Sequence, residues 1–298
     1  MREKLGQHFL INKSALKKIA SSLDIKSGDV VVEIGTGHGE LSVFLAEECA
    51  SKKNTRLIMV EKDKILADAL KKRKFKISNL KFKIVEGDII KILPTLVENW
   101  KLKIGNSSYK IAGNIPYYIT GRLLRILSEL PAPPAITVLT IQKEVAERLS
   151  AAPPDMNLLA AIVQFWAKPQ IIMRLKPDDF LPSPEVESAI VKLEISNKIQ
   201  DTRYKKIRSK YYKTAKTLFK QPRKTILNNL SNGLGGKEQM AGDREQGTKN
   251  ERQKQESKNK EEIAEILKKA GVNPQDRPQN LDVATIIKIS EAIPANSH

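Results

Sequence analysis

The run from Val30 to Gly39, Val-Val-Val-Glu-Ile-Gly-Thr-Gly-His-Gly, joins a continuous apolar stretch to three alternating glycines, and Leu41 to Ala46 then opens a helical apolar pattern. A strand that is apolar without alternation is buried on both faces. A glycine-rich turn leading from such a strand into a helix begins a βαβ unit, with backbone N–H groups and a helix N-terminus turned toward a ligand. Strand-like runs near residues 29–34, 56–61, 81–86, 109–113, 135–141, 169–174 and 188–195 alternate with helical stretches up to the last pair. This predicts a mainly parallel, three-layer α/β sheet. From about Asn197 the chain reads helical, so we expect a sheet domain over 1–196 and a smaller helical domain over 197–298.

The spacing of Gly35, Gly37 and Gly39 is Gly-x-Gly-x-Gly, not the Gly-x-Gly-x-x-Gly of a dinucleotide site. Glu33 precedes the loop, a poor neighbour for a pyrophosphate and a good one for a cation. S-adenosylmethionine is therefore the expected ligand, with a dinucleotide as the rival. Two more carboxylates end the next strands. Glu61 closes the run Leu57 to Val60 and is placed to accept both ribose hydroxyls. Asp88 follows Phe82 to Val85 and is placed to accept from the donor's adenine amine. Each alone also fits a solvated strand-end acid.

Downstream, Asn114-Ile115-Pro116-Tyr117 follows the short strand Tyr109 to Gly113. The tetrapeptide has an ordinary reading as a strand-to-turn exit. In series with the glycine loop it reads as a catalytic turn. Adenine's exocyclic amine is a weak nucleophile because its lone pair is delocalised into the ring. Asn114 Oδ1 and the Ile115 carbonyl would accept its two hydrogens, Pro116 would stiffen the turn and offer no N–H, and Tyr117 would stack on the base. Attack on a sulfonium methyl then needs mainly positioning.

The segments 4–10 (Lys-Leu-Gly-Gln-His-Phe-Leu), Glu33 to Gly39, Gly113 to Tyr117, Gln142 to Leu149, Phe180 to Leu193, Arg223-Lys224-Thr225 and Asn228-Asn229-Leu230 together resemble the ribosomal RNA adenine dimethyltransferases, nearest to the bacterial small-subunit type. The resemblance covers nearly the whole chain. It implies a Rossmann-like class I S-adenosylmethionine-dependent methyltransferase sheet of seven strands, the last inserted antiparallel. It also implies transfer of methyl groups to N6 of two adjacent adenosines in a 3′-terminal hairpin loop of small-subunit ribosomal RNA. Carried over by position, the family's donor-binding sites fall on His8, Leu10, Gly35, Glu61, Asp88 and Asn114. The chain departs from the family at Thr36, at Gly121-Arg122, across 151–157 and at Pro222.

Charge agrees with an RNA partner. The formal net charge is +18, and Lys198 to Leu227 holds eleven Lys or Arg residues against the single acid Asp201. We take Lys205, Lys206, Arg208, Arg223 and Lys224 as phosphate contacts. A solvated lysine-rich surface is the plain alternative. Tyr204, Tyr211, Tyr212 and Phe219, interleaved there, read as helix core. Between Met240 and Ile263 the only apolar residue is Ala241, so residues 235–260 read as a mobile insertion, with a helix resuming at Glu261.

Cys49 is the only cysteine, which excludes an intramolecular disulfide and a multi-cysteine metal site. No metal is expected. With no apolar run near 20 residues and no cleavable signal, the expectation is a cytoplasmic monomer working on the assembling small subunit. Three other activities share parts of this pattern: a macrolide-resistance type large-subunit methyltransferase, a DNA adenine methylase, and an assembly or transcription factor that keeps the fold. The Phe180 to Leu193 block argues against the first, and Asn114 in place of an acid argues against the second.

Overall fold

The computed structural model describes residues 7–72, 80–104, 108–196, 202–234 and 249–294. Lys4 to Gly6 of the N-terminal motif, Lys198 and Asp201, and residues 235–248 of the expected insertion lie outside them. The chain divides into two compact units, residues 1–150 with 166–196, and 151–165 with 197–298. The segment 151–165 thus groups with the C-terminal unit, across the division drawn at residue 196 from sequence.

The first unit is built on β2 (Val30–Ile34), β3 (Arg56–Glu61), β4 (Lys81–Glu86), β5 (Tyr109–Asn114), β6 (Ile136–Gln142), β7 (Ala167–Leu175) and β9 (Ser188–Ile195), in the order β4-β3-β2-β5-β6-β9-β7. The strands β4, β3, β2, β5 and β6 are parallel, and β9 is antiparallel to both β6 and β7. All five residues of β2 are buried, as its unbroken apolar run requires. The helices α2 (Glu40–Ala50), α3 (Lys64–Lys72), α4 (Ile89–Ile104) and α5 (Thr120–Glu129) make the crossovers. Strand order reverses between β2 and β5, so right-handed connections place α2 and α3 on one face and α4 and α5 on the other. The helix α1 (Lys13–Ser22) packs on α2. Leu16, Leu45, Met59, Val138 and Ile190 belong to the core cluster beneath them.

Two short pieces were not expected from sequence. Phe9–Leu10 (β1) and Phe180–Leu181 (β8) pair antiparallel as a two-stranded ribbon, Phe9 opposite Leu181 and Leu10 opposite Phe180. Two of the segments that carry the family resemblance thereby become neighbours. At the amino edge of the sheet Lys110, the second residue of β5, is buried, 2.8 Å from Asp29 and bonded to the Asp24 carbonyl. Asp29 also accepts from Lys26 N at 2.7 Å and from Ser108 Oγ at 2.7 Å, so the charge is fully engaged.

The second unit contains α7 (Leu158–Gln164), α8 (Thr202–Leu218), α9 (Ile226–Leu234), α10 (Lys249–Lys269) and α11 (Val283–Ala292). Between α5 and this unit the chain also forms the short helix α6 (Lys143–Leu149) of the first. Tyr211 is fully buried against Phe165, ring centroids 4.2 Å apart, with Tyr204 and Tyr212 around the same ring. Tyr211 and Phe219 are core, as expected from sequence, and Tyr204 and Tyr212 are half-buried. The helix α10 begins at Lys249, twelve residues before the expected Glu261. The lack of apolar residues was the wrong criterion there, because Glu, Gln, Lys and Arg are themselves good helix formers. Ile263 and Leu267 supply its buried stripe, and Gly271, at φ 73°, ends it.

A candidate active site at the carboxyl ends of the strands

A cleft of about 350 Å³ opens where β2, β3, β4 and β5 end, at the point where strand order reverses. Of the residues singled out from sequence, His8, Leu10, Gly35, Gly37, Glu61, Asp88, Asn114, Ile115, Pro116 and Tyr117 all line it. Gly39 does not. Its φ of 90° instead forms the left-handed entry to α2.

The glycine loop is held from two sides. Gly37 has φ 61°, and a Cβ there would lie 2.9 Å from Phe9 Cε1. Only glycine lets the ribbon pack that close. On the other side Glu61, which is buried, accepts from Gly37 N at 2.8 Å through Oε2 and from Asp63 N at 2.8 Å through Oε1. Each carboxylate oxygen has a second lone pair beyond the bond it accepts there. Glu61 therefore shapes the loop as well as lining the cleft.

The electrostatics select the sign of what can bind. Glu33, Glu40, Glu61, Asp63 and Asp88 line the cleft against the single lysine Lys62. Glu33 is 1 % exposed. Burial pushes its carboxyl up to about 8, with Glu40 and Glu61 adding to the rise and the 2.7 Å hydrogen bond from Ser42 Oγ opposing it. Burial also works against ionisation of Asp88, but the Lys62 ammonium at 3.2 Å and the Ile90 N–H outweigh it and hold the carboxyl below its usual range. A pyrophosphate would meet repulsion here. A ligand with a positive centre and hydroxyl or amine donors fits.

The Asn114 turn is fixed by close approach of two strands. Gly113 lies opposite Ile34, and a Cβ on it would come within 2.7 Å of the Ile34 carbonyl oxygen. Asn114 Nδ2 donates to the His8 carbonyl at 2.8 Å. A carbonyl only accepts, so this bond fixes the amide flip and leaves Oδ1 as the acceptor. His8 Nδ1 donates to the Pro182 carbonyl at 2.8 Å, and the His8 ring lies 6.0 Å from the Tyr117 ring at an interplanar angle of 24°. Tyr117 Oη is 2.6 Å from Ser188 Oγ.

Sequence reasoning passed over several residues at this site, Glu40 and Asp63 among them. Lys62 follows Glu61 directly, and Tyr118, 59 % exposed, follows Tyr117. The doubled aromatic was a visible signal. Ser188 stood inside a segment quoted only for its resemblance. The basic residues sit elsewhere, in the helical unit: Lys205, Lys206 and Arg208 on α8, Arg223 and Lys224 in the turn before α9. All but the half-buried Arg208 are exposed.

Comparison with known proteins agrees with this geometry. Residues 1–272 match the family described as ribosomal RNA adenine dimethylase. A "Ribosomal RNA small subunit methyltransferase A" of Dehalococcoides mccartyi is 34% identical over 282 residues, covering 95% of this chain and 84% of its own. The protein of that name from Caldanaerobacter subterraneus is 32% identical over 295 residues, covering 98% of this chain and 97% of its own. Among solved structures, a dimethyladenosine transferase from Plasmodium falciparum superposes with TM-score 0.69 at 25% identity, covering 95% of this chain and 96% of that one. With a family match over most of its length, and a cleft that brings the glycine loop and the Asn-Ile-Pro-Tyr turn together, the chain belongs to the ribosomal RNA adenine dimethylase family.

Proposed function

We propose that this protein is an S-adenosylmethionine-dependent rRNA adenine N6,N6-dimethyltransferase that acts on two adjacent adenosines in the 3′-terminal hairpin loop of small-subunit rRNA, during subunit biogenesis. The observation that carries the reading is the fixed amide of Asn114, one residue beyond the Gly113–Ile34 contact, on the rim of an anionic cleft built on a glycine loop. The names of the bacterial relatives favour the small-subunit substrate.

S-adenosylmethionine, when bound, supplies an electrophilic methyl on a sulfonium. The residues to hold it are His8, Leu10, Gly35, Gly37, Glu61, Asp88 and Asn114, with Glu33 as a nearby carboxyl that burial keeps protonated up to about pH 8 and that a bound positive centre would favour in its ionised form. Glu61 offers its free lone pairs to the ribose hydroxyls and Asp88 accepts from the adenine amine. Asn114 Oδ1 and the Ile115 carbonyl accept the hydrogens of the target amine, which draws its lone pair out of conjugation. Pro116 keeps the turn rigid and Tyr117 stacks on the base. No side chain has to remove a proton before transfer, because the product ammonium loses its proton to water afterwards.

The target adenosine leaves its stack to reach this turn, at a cost of a few kcal/mol that interactions with folded RNA must offset. We assign those interactions to Lys205, Lys206, Arg208, Arg223 and Lys224 of the helical unit. The protein works as a cytoplasmic monomer on assembling subunits. Among the described residues no helix is long and apolar enough to cross a membrane. The experiment is tritiated methyl transfer from S-adenosylmethionine to unmethylated small subunits and to large-subunit RNA, followed by nucleoside analysis. Label recovered as N6,N6-dimethyladenosine in the small subunit supports the reading. Label in large-subunit RNA, or in neither, would overturn it.

A further inference from the structure

Tyr117 is held at the hydroxyl end of its ring. Its hydroxyl is 2.6 Å from Ser188 Oγ, and Ser188 is fully buried. Ser188 opens β9, where it pairs with Gln142 of β6 on one side and Leu175 of β7 on the other. Two strand ladders therefore fix its position. Tyr117 has no such support, since it lies in a single helical turn, Tyr117–Ile119, and is half-buried. Of the two hydroxyls, the serine is the scaffold and the tyrosine the dependent group.

We propose that Ser188 is a positioning residue for methyl transfer: by anchoring the Tyr117 hydroxyl it sets the plane of the ring, and with it the pitch of the target base relative to Asn114 Oδ1. The inference rests on the reading of this cleft as an adenine N6 methyl-transfer site. Stacking on an aromatic face is tolerant of in-plane orientation and fixes only the plane of the base. That plane is the ring's own, so any tilt of Tyr117 moves the amine. Misplacement by about 1 Å can cost on the order of 10²-fold in rate. The surrounding bonds limit the other degrees of freedom. His8 lies over the ring, its Nδ1 is bonded to Pro182, and its carbonyl takes the Asn114 amide. Pro182 lies in the chain between β8 and β9, so the acceptor amide and the stacking ring are both referred to the segment that ends in Ser188.

A hydrogen bond that merely satisfied a buried serine would affect folding and leave the chemistry alone. The test compares Ser188→Ala, Tyr117→Phe and the double variant on unmethylated bacterial small subunits. It reads kcat and KM, donor affinity by calorimetry, thermal unfolding, and emission from 2-aminopurine placed at the target position. Each single variant should lower kcat roughly ten-fold, the loss of one hydrogen bond. Donor affinity should stay within about two-fold, 2-aminopurine emission should change, and the double variant should be no slower than the slower single, since both remove the same bond. Effects that multiply in the double variant would overturn the inference, as would a lowered melting temperature with kcat intact. Should Ser188→Ala fail to fold, Tyr117→Phe decides alone, and full kcat in it would overturn the inference. A wild-type protein that transfers methyl groups while both singles keep full kcat defeats only this inference, whereas a wild type that transfers none defeats the proposed function with it.

Discussion

Replacing Glu33 with glutamine should change how stability depends on pH, because this carboxyl keeps its proton far above the range of an ordinary glutamate. Unfolded, it titrates near 4.5, and in the fold burial moves it to about 8. Between those values the folded protein holds a proton that the unfolded chain has released. The stabilising contribution is therefore complete below about pH 4.5 and is lost as pH rises through about 8. At about 1.4 kcal/mol per pH unit the whole interval is worth roughly 5 kcal/mol. Glutamine keeps the size and an acceptor for Ser42 Oγ but does not titrate. Urea unfolding of both proteins at several pH values between about 5 and 8.5 gives the difference in stability, in which other titrating groups cancel. That difference should fall by about 1.4 kcal/mol per unit in favour of the variant as pH rises. A difference that stays constant across the interval would refute the argument. The same carboxyl couples to the ligand, since a nearby positive centre favours its ionised form. Donor affinity of the wild type should therefore tighten as pH rises toward 8, with proton release, and that of Glu33→Gln should not.

Asn114→Ala should weaken donor binding by no more than about 1 kcal/mol, the loss of one of several contacts, and lose roughly 2.7 to 4 kcal/mol of transition-state stabilisation, read as turnover on unmethylated subunits beside calorimetry with the donor. Glu61→Ala and Asp88→Ala should each weaken donor binding by roughly 1 to 3 kcal/mol, and the Glu61 variant should suffer more because it also strands the Gly37 and Asp63 N–H groups. Neutralising Lys205, Lys206, Arg208, Arg223 and Lys224 should flatten the salt dependence of subunit binding by roughly 0.7 to 0.9 log units for each phosphate that is no longer neutralised and leave the donor untouched; an unchanged slope would remove the helical unit as the RNA-reading element. Lys110→Met should destabilise the protein by about 3 kcal/mol in chemical denaturation, because Asp29 stays buried without its counter-ion.

Much of the sheet could be read directly. An apolar run such as Val30 to Val32 has one environment that suits it, and its neighbours inherit their order from the crossovers. The cleft-lining carboxylates followed from the same logic: Glu61 is the last residue of β3, and Asp88 lies two residues past the end of β4, each placed by the strand before it. What could not be read depends on segments far apart in the chain. The ribbon of Phe9–Leu10 with Phe180–Leu181 is two residues long on each side, too short for any periodicity. The Tyr117–Ser188 bond joins residues 71 positions apart, and its geometry arises only when β9 inserts between β6 and β7. Glu33 was legible as an anion near a ligand; its proton was not, since that follows from the completeness of its burial. The early start of α10 shows the opposite failure, in which local propensity sufficed and the absence of apolar residues misled.

The buried pair of Lys110 and Asp29 has a bearing on the chemistry at the far end of the same strand. Asn114 lies four residues beyond Lys110, roughly 13 Å at the rise of a β-strand. Central β5 is apolar on both faces, so burial alone would accept Ile111 and Ala112 in either register against β2. A slip of one residue turns every side chain to the opposite face. It would also leave the Asp29 carboxylate alone in the interior. The ion pair thus indexes the strand: with the ammonium seated, Gly113 meets Ile34 and the asparagine amide emerges on the side of the sheet where the cleft lies. A charge at one edge of the sheet sets the accuracy of an alignment at the other, and substitutions there should register as misaligned chemistry as well as reduced stability.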